Sequence, residues 1–280
     1  MMRTVNEKVQ GVRTQDGAGV SLVRVLGTWT VDAFDPFLML DSFDSTNPAD
    51  YAAGFPMHPH RGIETVSYVA RGKMLHRDSM GHEDEVSDGE IQWMCAGSGI
   101  LHEERIPEAE RLLGCQLWLN LPAADKMCAP SYHAVRASDI EEIALEGGVL
   151  RLLAGEYEGH VGHKGAHLPL DYYDIRLDEG AALDIPVAAD RAVLVFTLIG
   201  EADVCGEHLP EKTAARPVDG DMVRIEAAQG SAQILFMSSK RLDEPVAWGG
   251  PIVMNTQAEL SRAFDELQSG TFLREGIDYE

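Results

Sequence analysis

Short runs rich in Val, Ile, Leu, Phe and Tyr alternate with clusters of Gly, Pro, Asn, Asp and Ser along most of the chain, the pattern of strands closed by turns. It predicts strands over residues 21–26, 37–43, 63–69, 91–94, 113–119, 149–153, 172–177, 192–198, 222–225 and 232–237. Many short strands with few helical periods point to an all-β sandwich or barrel architecture. Two capping boxes mark helices. Ser138 with Glu141 predicts a short helix. Thr256 with Glu259, followed by Leu260, Phe264 and Leu267 at helical spacing, predicts a longer one that Gly270 closes.

A weak repeat runs through this pattern. One strand ends at Gly72 and Asp88-Gly89-Glu90 opens another; later a strand ends at Gly200 and Asp219-Gly220-Asp221 opens Met222-Val223-Arg224. Turn-rich sequences produce such similarity by chance as well, but the reading it supports is two β-barrels on one plan. Their linker is expected near residues 122–138, where turn residues and polar residues cluster.

The chain has 280 residues, enough for one large domain or two modest ones. A hydrophobic share of 45% and a charged share of 25% exclude a disordered or collagen-like chain. The formal charge of −23 would be repelled by a polyphosphate backbone, so direct nucleic-acid binding is not expected. The first residues lack the apolar core of a signal peptide, and the longest strongly apolar stretch, 192–199, is too short to span a bilayer. A cytoplasmic protein without membrane association is the expectation. Cys95, Cys115, Cys128 and Cys205 form no C-x-x-C, so they read as free thiols.

The candidate chemistry lies among ten histidines. His58-Pro59-His60 places two imidazoles at i and i+2, on one face of an extended segment, as two adjacent ligands of a metal ion require. A chain with this many histidines also produces His-x-His by chance, as a surface or loop pair. His102 and Glu104 repeat the spacing, while Glu103 would point the other way. Two such strands meeting inside a barrel would deliver three nitrogens and one oxygen, suited to iron, manganese, nickel or copper, with coordination sites left for water or substrate. In the second half His160, His163 and His167 fall in a Gly-rich loop and His208 stands alone, so no second centre is expected there.

The residues themselves closely resemble the pirins. The likeness is carried by residues 55–68, with His58-Pro59-His60-Arg61-Gly62 at their centre, by residues 76–82, and by residues 89–104, which include Gly97-Ser98-Gly99-Ile100-Leu101-His102-Glu103-Glu104. Residues 36–41 and Gly250-Pro251-Ile252-Val253-Met254-Asn255-Thr256 match as well, so the resemblance covers nearly the whole chain. It implies a bicupin, two packed jelly-roll barrels with a few short helices and a C-terminal helix. The metal-binding cupin domain is expected over 1–130 and a metal-free cupin-like domain over 131–280, its helix returning to the first. The resemblance assigns His58, His60, His102 and Glu104 as ligands of one mononuclear ion, iron first among manganese, nickel, copper, zinc and cobalt. Glu64 sits where many cupins place a metal carboxylate; in a pirin it is read as hydrogen-bonding a ligand imidazole. Cys95 stands where pirins often carry Thr or Ser, and His76 is placed in the pocket wall.

Some pirins are associated with quercetin 2,3-dioxygenase activity, in which dioxygen cleaves a flavonol ring with loss of carbon monoxide. On that reading Glu104 takes the proton of the substrate hydroxyl, and Phe55, Met57 and Trp93 are candidates to line an apolar slot for the aromatic ring. Substrates would be a flavonol, or a related aromatic or enediol compound, and dioxygen. The alternative implied by eukaryotic pirins is an iron-dependent, redox-sensing protein that modulates a transcription-factor partner without turnover.

Overall fold

The computed structural model describes residues 1–274. In chain order the first strands are β1 (Thr4–Gln10), β2 (Val12–Asp16), β3 (Val20–Leu26), β4 (Phe37–Ser45), β5 (Phe55–His60), β6 (Ile63–Arg71), β7 (Met74–Asp78) and β8 (Glu83–Val86). They are followed by β9 (Glu90–Cys95), β10 (Ile100–Arg105), β11 (Leu112–Asn120), β12 (Ser131–Val135), β13 (Glu141–Leu145), β14 (Gly148–Ala154), β15 (Glu156–Tyr157), β16 (His160–Val161) and β17 (Leu170–Leu177). The remainder are β18 (Ala182–Pro186), β19 (Arg191–Ile199), β20 (Ala202–Val204), β21 (Glu207–Leu209), β22 (Thr213–Val218), β23 (Met222–Glu226), β24 (Ala232–Lys240), β25 (Ala247–Gly249) and β26 (Ile252–Met254). A short helix α1 (Val31–Phe34) precedes β4, and α2 (Gln257–Ser269) follows β26.

These elements form two compact units. One comprises Arg13–Leu22, Leu38–Ala137 and the chain from Leu242 on; the other comprises Met1–Val12, Val23–Phe37 and Ser138–Arg241. In the first, strands run β12-β9-β6-β11-β4-β3-β2 in a seven-stranded sheet and β5-β10-β7-β8 in a four-stranded one. In the second the orders are β1-β22-β19-β24-β17-β14-β13 and β18-β23-β20-β21. The two lists correspond strand for strand, β5 to β11 answering to β18 to β24, which is the bicupin plan.

The repeat therefore exists, but half of the sequence signal for it points one strand too far. Gly72 and Gly200 do close equivalent strands, β6 and β19. Asp88-Gly89 opens β9, whereas Asp219-Gly220 opens β23, the counterpart of β10. The turn before β22, at Glu211 and Lys212, lacks the Asp-Gly pair that would have marked it.

Of the two expected helices, α2 forms as read. Thr256 accepts from the Glu259 amide while Glu259 reaches back to the Thr256 amide, and Gly270 ends the helix at φ 72°. The Ser138 box gives only a single 3-10 turn over Ala137–Asp139. The next residues pair as β13 with β14, Glu141 opposite Leu152 to Leu145 opposite Gly148, so sheet pairing overrides the local helix signal.

Where β5 and β10 would hold ligands, their counterparts β18 and β23 bury Ile185, Val223 and Ile225 in an apolar core with Leu150, Phe236 and neighbours. The interior of the second barrel is thus filled by hydrocarbon where the first carries imidazoles.

Candidate metal centre

Strand pairing brings the two histidine motifs together. β5 and β10 run antiparallel with His102 directly opposite His58 and Ile100 opposite His60; the register then shifts between His102 and Glu104. Along β10, buried and partly buried or exposed positions alternate from Ile100 to Arg105. His102 and Glu104 therefore face the interior, and Glu103 faces outward, ion-paired to Arg105 at 2.8 Å.

Donor nitrogens of His58, His60 and His102 all lie within 4.8 Å of one another. The hydrogen bonds of each ring fix which nitrogen carries the proton. His58 Nδ1 is 2.9 Å from the Pro56 carbonyl and His60 Nδ1 is 3.0 Å from the Pro251 carbonyl; a carbonyl only accepts, so both Nδ1 atoms donate. Their Nε2 atoms then carry lone pairs, and these face each other at 3.0 Å. Behind His102 a relay makes the same choice. Asp78 Oδ2 accepts from His76 Nε2 at 3.0 Å, which leaves His76 Nδ1 to accept from His102 Nδ1 at 3.4 Å. His102 Nε2 is left buried with no hydrogen-bond partner.

Three lone pairs converging in a buried space repel one another unless a cation lies among them. A proton cannot serve at neutral pH, because burial, and then the neighbouring His58, push His60 down to about 3, and burial holds His102 well below its ordinary value. The donor set fits a divalent transition-metal ion. His60 and His102 are buried and His58 is half-buried, so the cluster meets solvent on the His58 side.

Glu104 stands beside this group, fully buried. Its Oε1 accepts from Gln92 Nε2 at 2.6 Å and from Gln116 Nε2 at 3.1 Å, and its Oε2 accepts from Gln116 at 3.0 Å. Gln116 is oriented in turn by Trp118, whose indole N–H donates to Gln116 Oε1 at 3.2 Å. The Trp118 ring stands edge-on to His60, 4.9 Å between centroids.

The C-terminal segment completes the support. Besides the Pro251 carbonyl, Val253 N–H donates to the Arg61 carbonyl at 3.1 Å. Buried Lys126 donates to the Gly62 and Val253 carbonyls and to Asn120. The Arg61 guanidinium donates to Ser98 O, Glu266 and Phe272 O, and lies 4.1 Å over the Phe272 ring. The residue next to a candidate ligand is thus clamped to α2 and to the chain beyond it.

Residues 19–119 match the pirin family, and residues 172–273 match the pirin C-terminal cupin domain. A pirin-like protein of Caulobacter vibrioides is 42% identical over 97% of this chain and 99% of its own. The chain belongs to the pirin family. Mouse pirin is 34% identical over 89% of this chain and 86% of its own. Among solved pirin-fold structures, quercetin 2,3-dioxygenase from Acinetobacter baumannii superposes with a TM-score of 0.89 at 32% identity, covering 97% of this chain and 99% of that one.

The remaining residues singled out from the pirin motifs are placed as follows. His76 lies in the wall behind His102, stacked on Tyr132 at 4.2 Å. Glu64 does not bond an imidazole. Its backbone pairs with Cys95, and it lies three positions from Ser67, whose hydroxyl is 3.5 Å from Glu104, so strand alternation turns Glu64 to the opposite face of the sheet. There burial raises its carboxyl to about 7. Trp93, next to inward Gln92, faces the same way as Glu64. Phe55 packs in an apolar cluster with Val20, Phe43 and Ile106, and Met57 lies on the exposed face of β5, two-fifths accessible. Asp78 bonds His76 and His82, as its place between those two histidines in the motif suggests, whereas Gln92, Gln116 and Pro251 carry no motif signal. The available signal was a glutamine in the middle of each of two otherwise apolar strands, 91–94 and 113–119.

Proposed function

We propose that this pirin is a mononuclear metal-dependent dioxygenase of flavonols or related aromatic or enediol compounds. The observation that carries this reading is the convergence of three imidazole lone pairs beside a buried, amide-held carboxylate. His58, His60 and His102 would hold the ion, with Glu104 as a fourth ligand or close neighbour; iron is the assignment taken from the pirin likeness. When bound, the metal supplies Lewis acidity toward the substrate hydroxyl and a site for dioxygen. Glu104 takes the proton released from that hydroxyl, and Gln92 and Gln116 hold its carboxylate in position as it does so. The Asp78–His76 relay keeps His102 in the one tautomer that offers Nε2 inward. The ring-opening consumes one dioxygen and yields carbon monoxide and an aromatic ester.

The test uses protein purified without chelator. Metal analysis of wild type, His58→Ala and Glu104→Gln is combined with oxygen uptake and carbon monoxide release on adding quercetin. The reading expects about one transition-metal ion per wild-type chain, most of it lost in His58→Ala, and Glu104→Gln retaining metal but losing at least about a hundredfold in turnover. Full metal occupancy in His58→Ala overturns the ligand set. Flavonol binding by metal-loaded wild type without oxygen uptake overturns the catalytic role and favours a binding protein.

A further inference from the structure

We propose that the C-terminal barrel carries an anion-binding pocket built around Arg216. The pocket lies at one end of the seven-stranded sheet, where the start of β19 and the ends of β22 and β24 come together, and encloses about 260 Å³. Four arginines, Arg3, Arg191, Arg216 and Arg241, are among its lining residues, together with Asp190 and Asp219. In a chain whose acidic residues outnumber its basic ones two to one, four arginines around one cavity run against the overall charge.

Their hydrogen bonds divide them into fixed and available groups. Arg3 is buried and donates to the carbonyls of Ala188, Arg191, Pro217 and Gly220, so its charge is held by dipoles with no carboxylate in direct contact. Arg191 is paired with Asp171 at 2.6 Å and also donates to Ser238. Arg241 lies 4.0 Å from Asp35. Arg216 is different. Its side chain makes no hydrogen bond or ion pair among the described residues, although Glu7 stands opposite it on β1, and its Nε is shielded, which leaves the Nη nitrogens as the free donors. A planar cation kept partly buried with its Nη donors unused is an arrangement that an oxyanion completes, since carboxylate and phosphate both match the guanidinium nitrogens. The volume is below that of pockets for drug-sized ligands, which sets the ligand class at a phosphate or a short carboxylic acid.

The site is independent of the metal centre, so its test stands apart from the catalytic reading. The full-length protein is titrated calorimetrically with inorganic phosphate and, separately, with acetate, at ionic strength held constant by sodium chloride. Saturable one-to-one binding is expected for at least one of the two. Phosphate alone identifies a tetrahedral ligand and acetate alone a planar one. Arg216→Gln should weaken binding at least tenfold, while Asp219→Asn, which removes a competing carboxylate from the edge, should tighten it several-fold. Arg216→Gln is checked for an unchanged melting temperature without ligand, and His58→Ala should bind the anion as wild type does. The absence of saturable heat with both anions, or equal affinity in Arg216→Gln, overturns the proposal.

Discussion

His60 and Glu64, on strands consecutive in the chain but in different sheets, give the fold opposite responses to pH. In metal-free protein, the unfolded chain protonates His60 near 6.5 but the buried imidazole only near 3. Its contribution is complete above pH 6.5 and falls as pH decreases toward 3, by about 1.4 kcal/mol per pH unit. In urea unfolding of chelator-treated protein, the stability difference between wild type and His60→Gln should shrink by this slope between pH 6.5 and 5, Glu64 being common to both proteins. Glu64 behaves in reverse, because burial raises its carboxyl from 4.5 to about 7. Its protonated form fits the fold, so stability is complete below pH 4.5 and declines as pH rises to 7. Glu64→Gln should therefore unfold like wild type at pH 4 and be more stable at pH 8, by about 3 kcal/mol; a loss at pH 8 would contradict the burial argument. The third expectation concerns the relay. Asp78→Asn keeps an acceptor for the Met80 and His82 amides but weakens the tautomer constraint on His76 and His102. Metal affinity, measured by competition with a chromogenic chelator, should fall roughly 10–100-fold. The histidines were legible in the sequence because ligand spacing on a strand is local. Their partners were not, because Pro251 and Gln116 reach the centre only through folding.

At the scale of elements, α2 was readable to the residue. Both its capping bonds and its terminating glycine involve groups within a few positions of one another. Thr256→Ala should cost about 1 kcal/mol in urea unfolding. The same loosening should lower metal affinity by a measurable factor, because α2 carries Glu266 to the Arg61 beside His60. The Ser138 box had an equal local signal and formed no helix, since β14 offered it a ladder of sheet hydrogen bonds. The strands that escaped notice are mostly the polar ones. β2 is exposed throughout, β7 and β8 carry His, Arg, Asp and Glu, and β13 is largely accessible. Their alternation is carried by charged side chains rather than by hydrophobic ones, so a search for apolar runs passes over them.

For the whole molecule, a net charge of −23 is a standing repulsion that the fold must overcome. Raising sodium chloride from 10 mM to 200 mM should raise the melting temperature, by roughly 2–4 °C for each kcal/mol of repulsion screened. A flat response in differential scanning fluorimetry would show that the charges are already paired locally. The bicupin plan was partly legible, through the resemblance and through one of the two turn anchors of the repeat. What the sequence by itself determined were the side chains available and their two-residue alternation, and hence that His58 with His60, and His102 with Glu104, share a face. Only the tertiary structure decided which face of each strand became the interior. It turned Glu64 away from the imidazoles, set His102 opposite His58, and brought the Pro251 carbonyl to His60 from the far end of the chain. Alternation is a property of the backbone and is present in every extended segment. Register and return crossings depend on pairings between distant segments, which no local pattern specifies.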